Sequence, residues 1–169
     1  MKQKALYIWW IAILLISTLV FWLGYTGYVT DIWNKDATYI TSGISLLFLY
    51  GLSCLGLVAG SINSNDSETR AKSTKLLNRV WFISEIEMGL AIVGTGIGII
   101  LLLGVNSNVN VDDKAALQTL LTHLWSTMGV AFYPNALGLG SSIILKMLSF
   151  LIEEEHDDKS QQRFYVNEE

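Results

Sequence analysis

Long apolar blocks alternate with short polar segments along the whole chain. Four blocks, at about 5–29, 37–62, 80–105 and 117–152, are each long enough to cross a ~30 Å hydrocarbon core, which takes about 20 helical residues. Lipid offers no partner to backbone N–H and C=O groups, so blocks of this kind are predicted to be helical. None of them contains Asp, Lys or Arg before Lys146. The opening MKQK and the apolar run behind it have the outline of a signal peptide. The run continues past Phe21 and Trp22 without a small-residue cleavage site, so it is read as a retained first span.

Lys and Arg in the short loops set the orientation. Lys2 and Lys4 precede the first block, Arg70, Lys72, Lys75 and Arg79 lie between the second and third, and Lys146, Lys159 and Arg163 lie near or after the end of the fourth. These segments are expected to face the cytoplasm. The two intervening loops hold one Lys each, outweighed by Asp31 and Asp36 in one and by Asp112 and Asp113 in the other. An even number of spans with both termini inside follows.

The last two blocks predict helices longer than a bilayer is thick. Asn65, Asp66 or Ser67 is placed to cap a helix starting near Glu68, and no breaker interrupts it before the apolar run. Between Asp113 and about Asp158 only Pro134 stands against a continuous helix, which would be ~60 Å long. The expected fold is therefore all-α: one polytopic membrane domain of four transmembrane helices. Its first two helices are short and aromatic-rich, and the last two extend into the cytoplasm at about 66–79 and 146–160, with the final residues frayed.

Composition narrows the chemistry. Of 169 residues, 51% are hydrophobic and 15% charged, below the ~25% charged fraction of soluble domains, which argues against a soluble enzyme. A net charge of -4 provides no basic stripe to follow phosphates, so no nucleic-acid partner is expected. Cys54 is alone, no Cys/His set has metal-ligand spacing, and no cofactor or metal is expected.

Polar residues within the apolar blocks are the candidates for function, because ionisable and hydroxyl groups in lipid call for partners. Counting inward from outer edges near Gly104 and Leu117, Thr95 and the pair Ser126/Thr127 each lie ~14 Å deep, at the bilayer midplane. The spacing puts Ser84, Met88, Ala91, Thr95 and Gly98 on one stripe, and Thr127, Ala131, Pro134, Gly138 and Ser141 on another. Small stripes also serve plain helix packing, and a lone Ser or Thr can bond back to its own helix. Glu87 is expected near the cytoplasmic boundary, solvated or, together with Tyr133 and Asn135 at similar depth, a proton exit. No carboxylate is then left at the midplane, so a protonatable acceptor would have to come from another chain.

The stretches EMGLAIVGTGIGII (87–100) and HLWSTMGVAFYPNALGLG (123–140) together resemble the last two spans of the MotA/TolQ/ExbB proton-channel family. The first is similar to that family's LGLLGT pattern with a following Gly, here Ala91, Ile92, Val93, Gly94, Thr95, Gly96 and Gly98. The second is similar in its Thr, Gly and Pro, here Ser126 or Thr127, Gly129 and Pro134. The resemblance covers about 60 of the 169 residues. It departs from the family in a loop of only about 18 residues between the second and third blocks, in a missing proline before the GT motif, and in a Gly129–Pro134 spacing one residue short.

In that family five copies enclose two single-span helices of a MotB/TolR/ExbD-like partner whose membrane Asp takes up protons, and proton flow drives rotation. The resemblance implies a pentameric, channel-forming subunit of a proton-driven motor in a bacterial inner membrane. Thr95 and Ser126 or Thr127 would be on the proton path, and Ala91, Gly98, Ala131 and Pro134 would line it. The alternatives are a self-assembling holin-like pore and a non-conducting four-span scaffold. No nucleophile–base pair or metal set lies at one depth, so no enzyme is expected.

Overall fold

A computed structural model describes residues 4–30, 39–62, 66–105 and 114–166. Within those ranges the side chains at 67, 101–105, 114–117, 119–120, 123–131 and 156–166 are outside the description. The described residues form four long helices: α1 (Lys4–Tyr25), α2 (Ile40–Ser61), α3 (Ser67–Val105) and α4 (Lys114–Val166). All four are long and apolar enough to cross a membrane.

The ends of the helices have local causes. α1 stops at Tyr25, four residues before the apolar block does, because Gly27 turns the chain in the left-handed region at φ 82. Glycine enters that region without the Cβ penalty, as at many helix C-termini. α2 begins after Tyr39, which holds φ 55 with no side-chain cap. Asp66 caps α3: its carboxylate accepts from the backbone N–H groups of Glu68 and Thr69 and from the Thr69 hydroxyl at 2.8 Å. These bonds, the one from the Thr69 side chain foremost, hold the Asp66 carboxyl below its ordinary pKa of 3.8. α4 runs unbroken through Pro134 and remains helical to Val166, further than expected.

Close contacts fix the register. Gly94 of α3 packs on Ile40 at one end of α2, and the Ser61 and Ser73 hydroxyls are hydrogen bonded at 2.7 Å at the other, so α2 and α3 run antiparallel. α4 is antiparallel to α3, with Pro134 on Gly94, Gly138 on Ala91 and Ser141 on Glu87. It is parallel to α2, with Gly138 by Ile44 and Leu145 by Gly51. α1 lies outside this trio, fastened to α2 by the Trp9 indole N–H, which donates to the Leu52 carbonyl at 3.0 Å. The Trp9 ring fills the space over Gly56, where a Cβ would be 2.5 Å from it.

The register shows what the two segments expected to be extensions pack against. Ser73 is level with Ser61 and Leu77 is buried, so much of 66–79 packs beside α2 and only about six residues of α3, ~9 Å, pass its end. Likewise Leu148 and Ile152 of 146–160 belong to the buried core. The larger overhang is at the opposite end. Beyond the level of Ile40, α3 continues for about 11 residues (~17 Å) and α4 for about 20 (~30 Å).

Candidate functional site

Seven residues of α3 recur at alternating three- and four-residue spacing: Leu77, Val80, Ser84, Glu87, Ala91, Gly94 and Gly98. All but the half-buried Gly98 are buried. α4 answers with Pro134, Gly138, Ser141, Leu145, Leu148 and Ile152, and α2 with Thr41, Ile44, Phe48, Gly51, Leu55 and Val58. This is the heptad pattern by which helices keep one seam against their partners. Towards the Ser61 end the seam is filled mainly with Leu, Val and Ile around Ser84 and Gly51; towards the Ile40 end the small Gly138, Ala91 and Gly94 pack with Pro134 and the buried Ile44.

Glu87 stands where the two kinds of filling meet. It is fully buried, and its Oε2 accepts a 2.6 Å hydrogen bond from the Ser141 hydroxyl. Its Oε1 is also buried and has no hydrogen-bond partner. The Glu87 backbone carbonyl is 2.8 Å from where a Cβ on Gly138 would be, and Ala91 Cβ is at 2.6 Å. Absence of a side chain at Gly138 therefore lets α4 come close enough for Ser141 to reach the carboxyl. Judged from the pairing with α2, Glu87 is level with about Leu47, ~5 Å from the midpoint of that helix.

This overturns the expectation of a solvated Glu87 at the inner boundary beside Tyr133 and Asn135. Those two residues lie nearer the Ile40 end by about six to eight positions, ~9–12 Å along α4, and Ser141 is the partner instead. The error was one of face. Spacing alone allows a stripe through Ser84, Met88 and Thr95 or one through Ser84, Glu87 and Gly94, and the rule that charges point outward favours the first. In the structure Met88 is 39% exposed and Glu87 is inside. The usable signal was the uninterrupted alternation from Leu77 to Gly98, echoed on α4.

The remaining candidates are dispersed. Thr95 is half-buried, and its hydroxyl donates to the Ala91 carbonyl of its own helix at 2.9 Å. Ala91 and Pro134 are buried within the protomer, in contact with Gly138 and Gly94 respectively. Tyr133 is half-buried, and so is Asn135, whose Oδ1 is buried without a partner. The side chains of Ser126, Thr127 and Ala131 lie outside the described residues. Thr95 is level with about Pro134, so Ser126 and Thr127 lie about seven to eight residues, ~10–12 Å, further out on α4 than its level. The common depth expected for the hydroxyls is replaced by this offset. Among the described residues no three His, Cys, Asp or Glu side chains are grouped to hold a metal.

Taken together, the site is a carboxyl group held by one hydroxyl in an apolar seam. Such a group can bind and release a proton, and as a carboxylate it would carry a large desolvation cost. The chain matches no protein-family model, no curated protein and no solved structure.

Proposed function

We propose that the chain is the channel-forming, A-type subunit of a motor driven by the proton-motive force. Five copies enclose a dimer of a single-span, Asp-bearing MotB/TolR/ExbD-like partner in the bacterial inner membrane, with both termini cytoplasmic. The observation that carries this reading is the buried Glu87–Ser141 pair between the two long helices, in a chain whose apolar motifs resemble that channel family.

The charges support a bilayer placement. A ~30 Å hydrocarbon core between the rings of Tyr25 and Tyr39 at one edge and Lys4, Lys75 and Glu153 at the other has Glu87 near its middle. Exposed Phe82, Ile143, Met147 and Phe150 then face acyl chains. Arg79 and Lys146 lie inside the inner edge, where long stems snorkel; the Lys146 ammonium is 5.7 Å from the centre of the Trp81 ring. Beyond the outer edge Ile99, Ile100 and Leu121 are exposed, apolar surface that association of copies would cover. Thr95 borders the path on this reading, and Gly98, Ala131, Ser126 and Thr127 belong to its outer mouth.

The test is proton flux in proteoliposomes holding the chain and a single-span, Asp-bearing partner. Thr95→Val is expected to cut the flux while the oligomer persists, and unchanged flux removes Thr95 from the path. A holin-like pore is the second reading, favoured by the fact that Glu87 belongs to this chain. It requires flux without any partner.

A further inference from the structure

The seam is built asymmetrically about Glu87. Towards the Ser61 end it is closed by Leu55, Val58, Val80, Leu145, Leu148 and Ile152, all buried. Towards the Ile40 end lie Gly138, Ala91 and Gly94, packed by Ile44 and Pro134, then Asn135 with its buried, unpartnered Oδ1, level with the buried Thr41 of α2. Of the buried oxygens without hydrogen-bond partners, Asn135 Oδ1 lies ~9 Å along α4 from the level of Glu87 Oε1 on this side, and Ser149 Oγ lies ~12 Å away on the other, behind Leu145 and Leu148. Buried oxygens of this kind are uncommon in native structures and ask for a proton or a water.

We propose that Glu87 is a reversible proton-binding residue, loaded from the Asn135 end of the seam and sealed from the other end by the apolar block. The proton leaves water at the Ile40 end, crosses the Gly138–Ala91 contact on water admitted when α3 and α4 separate slightly, and forms an O–H bond at Oε1. Ser141 keeps its hydrogen bond to Oε2 throughout and holds the carboxyl in place. Among the described residues, the buried side chains near the level of this carboxyl are neutral: Ile44 on α2, Ser84 and Ala91 on α3, Ser142 on α4. The nearest charges are Glu85, which is exposed, and Lys146, whose ammonium lies over Trp81. With no fixed cation at hand, the proton is the counter-charge available to Glu87. The proposal depends on the chain spanning a membrane but not on a motor, a partner or an oligomer.

Infrared spectroscopy of the full chain in lipid vesicles reads this state directly. A carboxylic-acid C=O band is expected that is absent in Glu87→Gln and moves to higher frequency in Ser141→Ala, where the hydrogen bond is lost. The band should shift on transfer to D2O and disappear reversibly in alkaline buffer. Asn135→Leu should slow the D2O shift several-fold, whereas Ser149→Ala, in the sealed half, should leave it unchanged. Three results overturn the proposal: a spectrum untouched by both Glu87→Gln and Ser141→Ala, a band that neither exchanges nor titrates, or equal effects of Asn135→Leu and Ser149→Ala. Because no flux is measured, failure of the motor reading leaves these outcomes intact, and failure here leaves the flux test open.

Discussion

The two halves of the helical seam have the same backbone plan and opposite filling. In the half towards Ser61, Leu55, Val58, Val80, Leu145 and Ile152 are buried together in the apolar core. In the half towards Ile40, Ala91, Gly94, Pro134 and Gly138 let the backbones approach. Close approach is what brings a serine hydroxyl to a carboxylate with no room for solvent between them. The dry half makes a stable bundle and the close half makes a site. The same three-and-four spacing serves both.

The largest expected effect is on the close half. At Gly138 a side chain meets the Ala91 Cβ and the Glu87 carbonyl, the latter backbone that cannot swing aside. Gly138→Leu should destabilise the chain by about 3 kcal/mol or more and separate Ser141 from Glu87, read as a lowered unfolding temperature in detergent. Leu145→Ala in the dry half should cost about 2 kcal/mol. That is the low end for such a truncation on the proposed membrane reading, in which lipid is as apolar as the lost side chain and only packing is forfeited. If Leu145→Ala proved the more damaging of the two, the distinction between the halves would fail.

A smaller effect is expected at the pair itself. Ser141→Ala removes the single hydrogen bond to Glu87 Oε2 and should cost about 1 kcal/mol, with the helix content by circular dichroism unchanged. The smallest effect lies outside both halves, at the Asp66 cap. Its folded pKa is depressed, so its contribution is complete above the unfolded value near 3.8 and is lost as pH falls through the lower folded value. Protection of the first-turn amides of α3, taken as exchange relative to the intrinsic rate at each pH, should therefore fall in acid for the parent chain, and Asp66→Asn should abolish that fall.

The four helices were legible because their apolar runs are long and their polar breaks charged. A cap at 65–67 was legible because the backbone donors of a helix start need an acceptor at that spacing, and the structure selects Asp66 from the three candidates Asn65, Asp66 and Ser67. Less could be read at Tyr39, since nothing local marks a tyrosine for φ 55. The site was hidden for a physical reason. On α3, Met88 and Glu87 compete for the inward position, and one-residue rotation separates them. A transfer cost for carboxylate favours Met88; only the contacts of α4, with glycine at 138 and a hydroxyl at 141, reverse that preference. The relative level of Thr95 and the Ser126/Thr127 pair was misread in a similar way. Charge-free length on α3 and α4 exceeds a bilayer, so it cannot fix a level, whereas the bracketed helices α1 and α2 do.

Disulfide trapping tests the register on which all of this depends. In a Cys54→Ser background, Ala91→Cys with Gly138→Cys should form an intrachain disulfide, because the Ala91 Cβ and a Cβ at Gly138 fall 2.6 Å apart and need to part by only about an ångström to reach disulfide geometry. Thr95→Cys with Thr127→Cys should not, since an offset of ~10 Å along the helices exceeds the Cα separation a disulfide tolerates. Intrachain bridging of the second pair in place of the first would mean that the hydroxyls share a level after all and that Glu87 does not meet Ser141.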